Sequence, residues 1–332
     1  MSQIKYIFQR FKTMKGYYAP KSSLLKGMLF FLDWVFSFII YGASISDYFS
    51  FSFYDKNHAG RKKYVTYRKY RRILSVANDS SAISVCRSKL QFNEYFKDFL
   101  HRKTIAFSDI SEDSLRRWLS NIHGRSLFVK EAYSFRGKGV QKINVDNIDV
   151  PEFYKNLLKL KMGGDCIVLE EELIQDDEIA MFHPWSVNTI RVVTLYDTSC
   201  EEVHVMDAGL RIGNNKNSVD NFHFGGIYGQ IDINTGIICG KAFNTNNERF
   251  IYHPLTKKQI VGFKIENWEE LLEYVRKAAR QLPKVRYVGW DVVVLKNGGF
   301  ALIEANDNAD HDLQQMYRGG LWQDYKKILK RL

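Results

Sequence analysis

Residues 287–306 constrain the fold of this chain more than any other stretch. A run rich in Val occupies 292–295, the sequence Asn297-Gly298-Gly299 follows, and 300–303 is apolar again. Asn and Gly adopt the positive φ angles that a tight turn requires, and β-branched residues favour extended strands on each side of it. The stretch is therefore predicted to form a β-hairpin.

Three polar residues of this hairpin carry oxygen donors. Glu304 and Asn306 are two positions apart, so their side chains project from one face of a strand, and the returning strand brings them beside Asp291. Mg²⁺ and Mn²⁺ accept such oxygens, with water and phosphate completing the shell. Two buried carboxylates without a cation would repel each other and raise their pKa values. The pattern predicts a divalent-metal site of these three residues; for Asp291 alone, a solvated strand end is the alternative.

Asp291, Glu304 thirteen positions later and then Asn306 resemble the metal-binding end of the ATP-grasp ligases, the superfamily that includes D-alanine:D-alanine ligase and biotin carboxylase. The resemblance implies an α+β fold in which two α+β subdomains clasp ATP. Over residues 45–325 the chain resembles one branch, the sugar-transfer associated ATP-grasp family. The motifs that carry this resemblance include Ser-Val-Asn-Thr-Ile-Arg at 186–191, Val-Asp-Asn-Phe-His-Phe-Gly-Gly-Ile at 219–227, Val-Gly-Trp-Asp at 288–291 and Ile-Glu-Ala-Asn at 303–306.

A predicted strand at 126–130 ends at a lysine and leads into a loop with two glycines. Backbone N–H groups of such a loop can close over phosphate oxygens, and a cation in the loop adds to them. It is not a Walker A loop, because no Gly-Lys-Ser/Thr opens a helix. A plain hairpin turn is the alternative. The resemblance implies that the residues contacting the phosphates of ATP are Lys89, at the start of a predicted helix, Lys130, Gly137, Lys138 and Gly139.

The acidic strand predicted at 165–174 matches the hinge between ATP-grasp subdomains. In that family a glutamate and the backbone of the hinge hydrogen-bond the adenine amino group, and an acid further along holds the ribose. The match implies that Glu170, Glu171 and Leu173 line the adenine slot and that Asp177 contacts the ribose. An acidic strand end that faces solvent is the alternative.

Two predicted strands in the second half each carry an arginine, Arg191 and Arg211. A triphosphate and an acyl phosphate need positive charge that stays ionised, and guanidinium supplies it in a planar, bidentate form. These arginines are the predicted catalytic residues, with a surface ion pair as the alternative for each alone. Asn188, and Asn221 and His223 in a glycine-rich loop, are the predicted substrate-binding residues; a core histidine is the alternative for His223.

A basic, aromatic module is predicted at 1–75, a linker with the small subdomain at 76–175, and a large subdomain at 176–332. Residues 1–72 hold fourteen Lys and Arg against three Asp, a difference that equals the whole net charge of +11. The apolar segment 28–41 is shorter than the roughly 20 residues that cross a bilayer as a helix. Two interpretations remain open: a helix in a membrane interface, or a helix buried under the catalytic domain or in a dimer contact.

The cysteines Cys86, Cys166, Cys200 and Cys239 lie far apart and lack metal-ligand spacing. We expect buried free thiols in a reducing compartment. No cleavable signal peptide is expected, because the apolar segment begins late and lacks a small-residue cleavage motif. The prediction is a cytoplasmic protein, peripheral at the inner face of the cell membrane. The formally neutral remainder of the chain argues against a nucleic-acid partner.

These features predict an ATP- and Mg²⁺-dependent carboxylate–amine ligase that acts through an acyl phosphate. The resemblance implies a role in surface-polysaccharide biosynthesis, with a small-molecule carboxylate and amine, or a lipid-linked glycan, as partners. Gly289 stands where the dipeptide ligases carry an amino-acid-binding arginine, so an alanine-like second substrate held in their way is not expected. A phosphotransferase acting on a sugar or glycan and a non-catalytic nucleotide-binding scaffold are the alternatives.

Overall fold

The computed structural model describes residues 3–108, 110–123, 126–133, 140–162, 166–214 and 225–332. Among these residues the helices are α1 (Gln3–Tyr18), α2 (Leu24–Tyr41), α3 (Ile45–Ser50), α4 (His58–Lys62), α5 (Tyr67–Ala77), α6 (Ser84–Arg87), α7 (Lys89–Tyr95), α8 (Glu112–Ser120), α9 (Val150–Met162), α10 (Asp177–Ala180), α11 (Trp268–Gln281), α12 (Gln315–Arg318) and α13 (Trp322–Leu329). The strands are β1 (Thr104–Phe107), β2 (Ser126–Glu131), β3 (Val140–Asn144), β4 (Ile167–Glu171), β5 (Thr189–Asp197), β6 (Glu202–Ile212), β7 (Ile227–Gln230), β8 (Ala242–Phe243), β9 (Arg249–Phe250), β10 (Tyr287–Val294) and β11 (Phe300–Asn306).

Strands β1 to β4 form an antiparallel sheet in the order β1-β4-β2-β3. Alternate residues of the two central strands, such as Leu127 and Leu169, are buried in an apolar cluster with α8 and α9. The residues between them, among them Phe128, Lys130 and Glu170, project from the opposite face. One face of this small sheet is therefore core, and the other carries charge.

The remaining strands form a second antiparallel sheet in the order β11-β10-β5-β6-β7-β8-β9. The predicted hairpin is confirmed, since β10 and β11 pair directly. One face of this large sheet packs against α11 around the fully buried Trp290. On the other face, Val193, Leu195 and Met206 pack against α5 and α13. The two sheets with their helices confirm the predicted α+β class.

The N-terminal helices are fixed to the rest of the chain by buried polar contacts. The Asp47 carboxylate of α3 accepts a hydrogen bond from Nε2 of His311 at 2.9 Å, and the ring of Tyr70 stacks on that histidine. The Gln315 side chain accepts from the backbone N–H of Val65 at 2.8 Å and donates to its carbonyl at 3.0 Å. Both His311 and Gln315 follow β11 closely, so the N-terminal helices are attached next to the end of the predicted metal hairpin.

The expectation for the cysteines is half right. All four are free, but Cys166, Cys200 and Cys239 are exposed and only Cys86 is partly buried. Cys200 lies in the turn between β5 and β6, and Cys166 directly precedes β4, so neither position faces the core. Burial raises the pKa of the Cys86 thiol to about 12.

The contact between Asp47 and His311 predicts a pH-dependent stability. Burial lowers the pKa of His311, but Asp47, with Asp312 and Asp310, outweighs it and raises that pKa above its ordinary value. A raised histidine pKa stabilises the fold fully below the unfolded value, and the contribution is lost as pH rises through the folded value. His311→Gln should therefore cost about 2 kcal/mol near pH 6 and much less near pH 9. Chemical unfolding of both proteins across this range would show parallel profiles if the ion pair did not contribute.

Candidate nucleotide and metal site

The hairpin brings the three predicted metal ligands to one place. Asp291 of β10 lies opposite Glu304 of β11, and Gly289 lies opposite Asn306. A register shift between Asp291 and Val292 leaves one extra residue in β11, as in a β-bulge. The Asn306 amide donates to Oε1 of Glu304 at 3.0 Å. All three side chains therefore project from the same face of the large sheet.

Both oxygens of Asp291 accept hydrogen bonds from the two predicted catalytic arginines. Arg191 of β5 donates from Nε to Oδ1 at 2.5 Å and from Nη2 to Oδ2 at 2.9 Å, and Arg211 of β6 donates from Nη1 to Oδ2 at 2.9 Å. Burial of Asp291 raises its pKa, but the two guanidinium groups outweigh burial and hold that pKa well below its usual range. The sequence predicted separate roles for the aspartate and the arginines; the structure joins them in one cluster across three neighbouring strands.

Glu304 has the opposite electrostatic character. The Glu304 side chain is exposed to solvent. Its carboxylate nevertheless loses part of its hydration to the surrounding protein and lies close to the Asp291 carboxylate, and both effects raise the pKa of Glu304. Repulsion between the two carboxylates favours a proton on Glu304, and a bound divalent cation would take the place of that proton. The available donors are all hard oxygens, so the residues fit Mg²⁺. Among the described residues, no group of three or more His, Cys, Asp and Glu side chains forms another candidate metal cluster.

The small sheet contributes a buried charge network. Oε2 of Glu170 accepts from Nζ of Lys130 at 2.7 Å and from Nε of Arg102 at 2.9 Å, and Oε1 accepts from the Asn93 amide at 3.3 Å. Glu170 is buried, which raises its pKa, but the two cations outweigh this and hold the pKa well below its ordinary value. The carboxylate is therefore ionised and already paired with the predicted phosphate-binding lysine.

Arg102 connects the two sheets, and sequence reasoning missed it. Its Nη1 donates to the carbonyl of Leu302 in β11 at 2.6 Å, while its Nε holds Glu170 of β4. Its Nη2 is buried and, among the described residues, has no hydrogen-bond partner. A single arginine in a short connection carries no periodic signal, so only the fold reveals this position.

Lys89 approaches the same region from the start of α7. Its Nζ donates to the carbonyl of Glu131 at 3.0 Å. Burial and the charge of Lys130 lower the pKa of Lys89, whereas Glu304 and Glu170 raise it. These electrostatic effects, together with the bridge that Arg102 makes between Glu170 and β11, bring Lys89, Lys130, Glu170 and Glu304 to one region between the two sheets, which we call the cleft.

The other predicted adenine and ribose residues are dispersed. The Glu171 carboxylate accepts from the backbone N–H groups of Lys103 at 3.1 Å and His123 at 2.7 Å. Strand alternation turns it to the face opposite Glu170. Leu173 is buried against the hairpin. Asp177 is exposed and pairs with Lys296 at 3.0 Å, so it lies at the surface.

Of the three predicted substrate residues, the described structure includes Asn188 alone. Asn188 is buried, and its amide donates to the backbone carbonyl of Ile179 at 3.0 Å, so it does not join the arginine cluster. Its Oδ1 has no hydrogen-bond partner among the described residues. Five predicted site residues lie outside the described residues: Gly137, Lys138, Gly139, Asn221 and His223.

A second buried acid lies on the face that carries the arginines. Asp207 of β6 accepts from the hydroxyl of Tyr228 and from the Gln230 amide, each at 2.7 Å. Burial raises the pKa of Asp207 to about 6. A Cβ at Gly209 would come within 2.1 Å of the Tyr228 ring, so only glycine lets the ring cross the strand there. Alternation along β6, with Arg211 four positions from Asp207, was the only sequence signal for this acid.

Comparison with protein-family models gives a match over residues 126–330, more than half of the chain, to the family described as sugar-transfer associated ATP-grasp. Among solved structures the chain is similar to the ATP-grasp ligase PsnB complexed with minimal precursor (14% identity, 77% of this chain and 64% of that chain, TM-score 0.42). It is also similar to N5-carboxyaminoimidazole synthetase from Staphylococcus aureus complexed with ADP (13%, 71% and 48%, 0.45) and to an L-amino acid ligase from Bacillus licheniformis (14%, 68% and 41%, 0.40). The chain covers less than two thirds of each of these structures. Comparison with curated proteins gives no match.

The pairing of Arg102 with Glu170 predicts non-additive stability. Arg102→Met should destabilise the protein by about 3 kcal/mol, because a buried carboxylate loses one of its two cations. Glu170→Gln in the same chain should recover part of that loss, so the double variant is more stable than the sum of the two single changes. Chemical unfolding of the full chain measures this cycle.

A matched control is Arg116→Met, which removes an exposed arginine from its pair with Glu112. Its effect should stay within about 0.5 kcal/mol. Strictly additive costs for Arg102→Met and Glu170→Gln would mean that the two side chains are not coupled.

Proposed function

The chain belongs to the sugar-transfer associated ATP-grasp family, and on this premise we propose that it is an ATP- and Mg²⁺-dependent ligase that joins a carboxylate to an amine. The observation that carries the proposal is the cluster of Asp291 and Glu304 with two arginines, connected through Arg102 to the buried Glu170 that holds Lys130. Such an arrangement concentrates positive charge for phosphate groups on both sides of an oxygen-donor site.

In the proposed mechanism, the basic residues contact phosphate, and the acidic residues orient them or hold the metal. Lys89 and Lys130 neutralise phosphate oxygens from the small-sheet side, and Arg191 and Arg211 do so from the large sheet. Glu170 keeps Lys130 oriented before ATP enters, and Asp291 does so for Arg191 and Arg211, so little reorganisation is required. Asp291, Glu304 and Asn306 would hold Mg²⁺, which when bound supplies further positive charge to the phosphate oxygens.

The proposed reaction has two displacement steps. A carboxylate oxygen of the substrate attacks the γ-phosphorus of ATP, the bond to the β–γ bridging oxygen breaks, and ADP leaves with the electron pair. The amine nitrogen then attacks the acyl carbon of the resulting acyl phosphate, the carbon–oxygen bond to phosphate breaks, and the nitrogen loses a proton. The products are ADP, phosphate and an amide, and catalysis rests on positioning and electrostatics rather than on a protein nucleophile.

A sugar or glycan precursor of surface-polysaccharide biosynthesis, in lipid-linked form, is the acceptor we propose. The description of the family supports this choice. The site also differs from that of the dipeptide ligases at Gly289, where those enzymes carry an arginine. A Cβ at Gly289 would come within 2.7 Å of Ala309 and 3.1 Å of Arg191. A side chain there would collide with Ala309 and crowd Arg191, so an amino-acid carboxylate is not expected to be held from this position.

Glu304 tests the metal site directly. The wild type should bind ATP more tightly with Mg²⁺, and Glu304→Gln should remove this gain by about tenfold or more while leaving metal-free ATP binding unchanged. Because the pKa of Glu304 is raised, protons compete with the cation, and the gain should fall as pH falls through that pKa. Calorimetry at several pH values gives both results.

Glu269→Gln, an exposed carboxylate on α11, is the matched control and should behave as the wild type. A gain from Mg²⁺ that persists in Glu304→Gln would place the metal elsewhere. Absence of ATP binding by the folded wild type would contradict the ligase proposal and favour the alternative of a non-catalytic scaffold.

The reaction class is tested with oxygen-labelled carboxylates. Uronic acids and amino acids paired with amino sugars should release ADP only when both substrates are present, and one labelled oxygen should move into phosphate, as an acyl phosphate requires. Arg211→Lys should reduce kcat by about 100-fold or more, because a bidentate donor at developing charge is lost. ADP release with a stable phosphosugar and no amine requirement would instead identify a phosphotransferase.

A further inference from the structure

The outward side of helix α2 is a continuous apolar surface. At about 100° per residue, its members fall within an arc of about 120° around the helix. Each is between 48% and 68% exposed. We define the α2 face as Leu25, Met28, Leu29, Leu32, Phe36, Ile39 and Ile40. A soluble monomer rarely exposes so many contiguous large apolar side chains without a binding function.

The opposite side of α2 packs on the protein. Phe30, Trp34 and Tyr41 are buried there among the side chains of α1 and α3. Asp33, the acid within α2, pairs with Arg61 through both carboxylate oxygens at 2.7 and 2.8 Å. The negative charge of this helix therefore lies outside the α2 face and is neutralised by Arg61.

Basic side chains stand at both ends of the α2 face. Lys21 is exposed just before its N-terminal end, and Lys26, exposed in the first turn of α2, flanks the face on the side of Asp33, with its ammonium over the Phe30 ring. At the C-terminal end, the Arg68 guanidinium donates to the backbone carbonyls of Phe38 and Ile39. Arg71 and Arg72 follow on α5 and are exposed. The apolar stripe is thus bounded by positive charge at each end.

We propose that the α2 face docks in the plane of an anionic lipid surface. An apolar stripe between cations fits acyl chains with acidic headgroups around them. By length and composition α2 could cross a membrane, but its ion-paired, buried side is covered by protein, so the helix lies along the surface. A second copy fits less well, because two α2 faces meeting in parallel or antiparallel register would bring positive ends together.

This docking gives the proposed acceptor a physical rationale. Asp47 of α3, the helix that follows α2, and Val65, just after α4, are bound to His311 and Gln315 beyond the metal hairpin. The cleft would therefore be held at a set position relative to the lipid surface, where a lipid-linked substrate is found. The docking surface itself does not depend on ligase activity; the link to the acceptor rests on the proposed function.

The test is co-sedimentation of the full chain, without ATP, with phosphatidylcholine vesicles and with vesicles containing about 30% phosphatidylglycerol. The wild type should bind the anionic vesicles more tightly. Leu32→Glu should weaken binding at least tenfold, while Leu160→Glu, the same change at an exposed leucine of α9, should not. Lys21→Ala with Lys26→Ala should weaken anionic binding by about 25-fold, and Lys155→Ala with Lys159→Ala should leave it unchanged.

Three outcomes would overturn the proposal. The wild type could bind neither vesicle, or the Leu32→Glu protein could bind as the wild type does. The third outcome is a dimer in light scattering that Leu32→Glu converts to monomers with no vesicle binding, which would assign the α2 face to a second copy. Leu32 is 65% exposed, so its replacement should leave the unfolding transition unchanged. ATP binding is measured separately, so failure here leaves the ligase proposal intact.

Discussion

The buried carboxylate of Asp291 is the constraint on which the site depends. An ionised aspartate in that position would be strongly unfavourable without partners, and Arg191 and Arg211 supply three hydrogen bonds to it. These contacts require β10, β5 and β6 to lie side by side in one register. The register that satisfies the charge also brings Glu304 opposite Asp291. The same strand register therefore both pairs the Asp291 charge with the arginines and assembles the oxygen-donor cluster.

The opposite wall of the cleft follows the same principle with different residues. Glu170 is buried between Lys130 and Arg102, and Arg102 reaches the backbone of β11. Each wall thus holds its cations against an internal acid before any nucleotide is present. In the proposed function, phosphate oxygens entering the cleft would meet side chains that are already oriented, and the internal carboxylates would reduce the repulsion between the cations.

The hairpin and its donor set could be predicted from sequence because strand alternation and a turn of Asn and Gly are local signals. The face of Glu170 follows from the same alternation, but its partner Arg102 does not, since the connection that carries it has no periodic pattern. Asp207 was missed because one acid in an apolar strand looks like any strand residue. The exposure of Cys166, Cys200 and Cys239 was predicted wrongly, because cysteine is usually buried and only the positions of turns and strand ends decide otherwise.

The orientation of α2 shows most clearly what sequence alone leaves open. Its apolar composition suits a buried helix and a membrane-facing helix equally well. The structure decides which side is free through one ion pair: Asp33 can reach Arg61 only when Trp34 and Tyr41 face the protein, and this leaves Leu32 and Phe36 outward. From the sequence alone, the charge of Asp33 would argue against lipid contact. In the structure, its ion pair with Arg61 instead fixes the helix so that the uncharged side faces outward. If that side contacts lipid, the same ion pair sets the orientation of the cleft above the membrane.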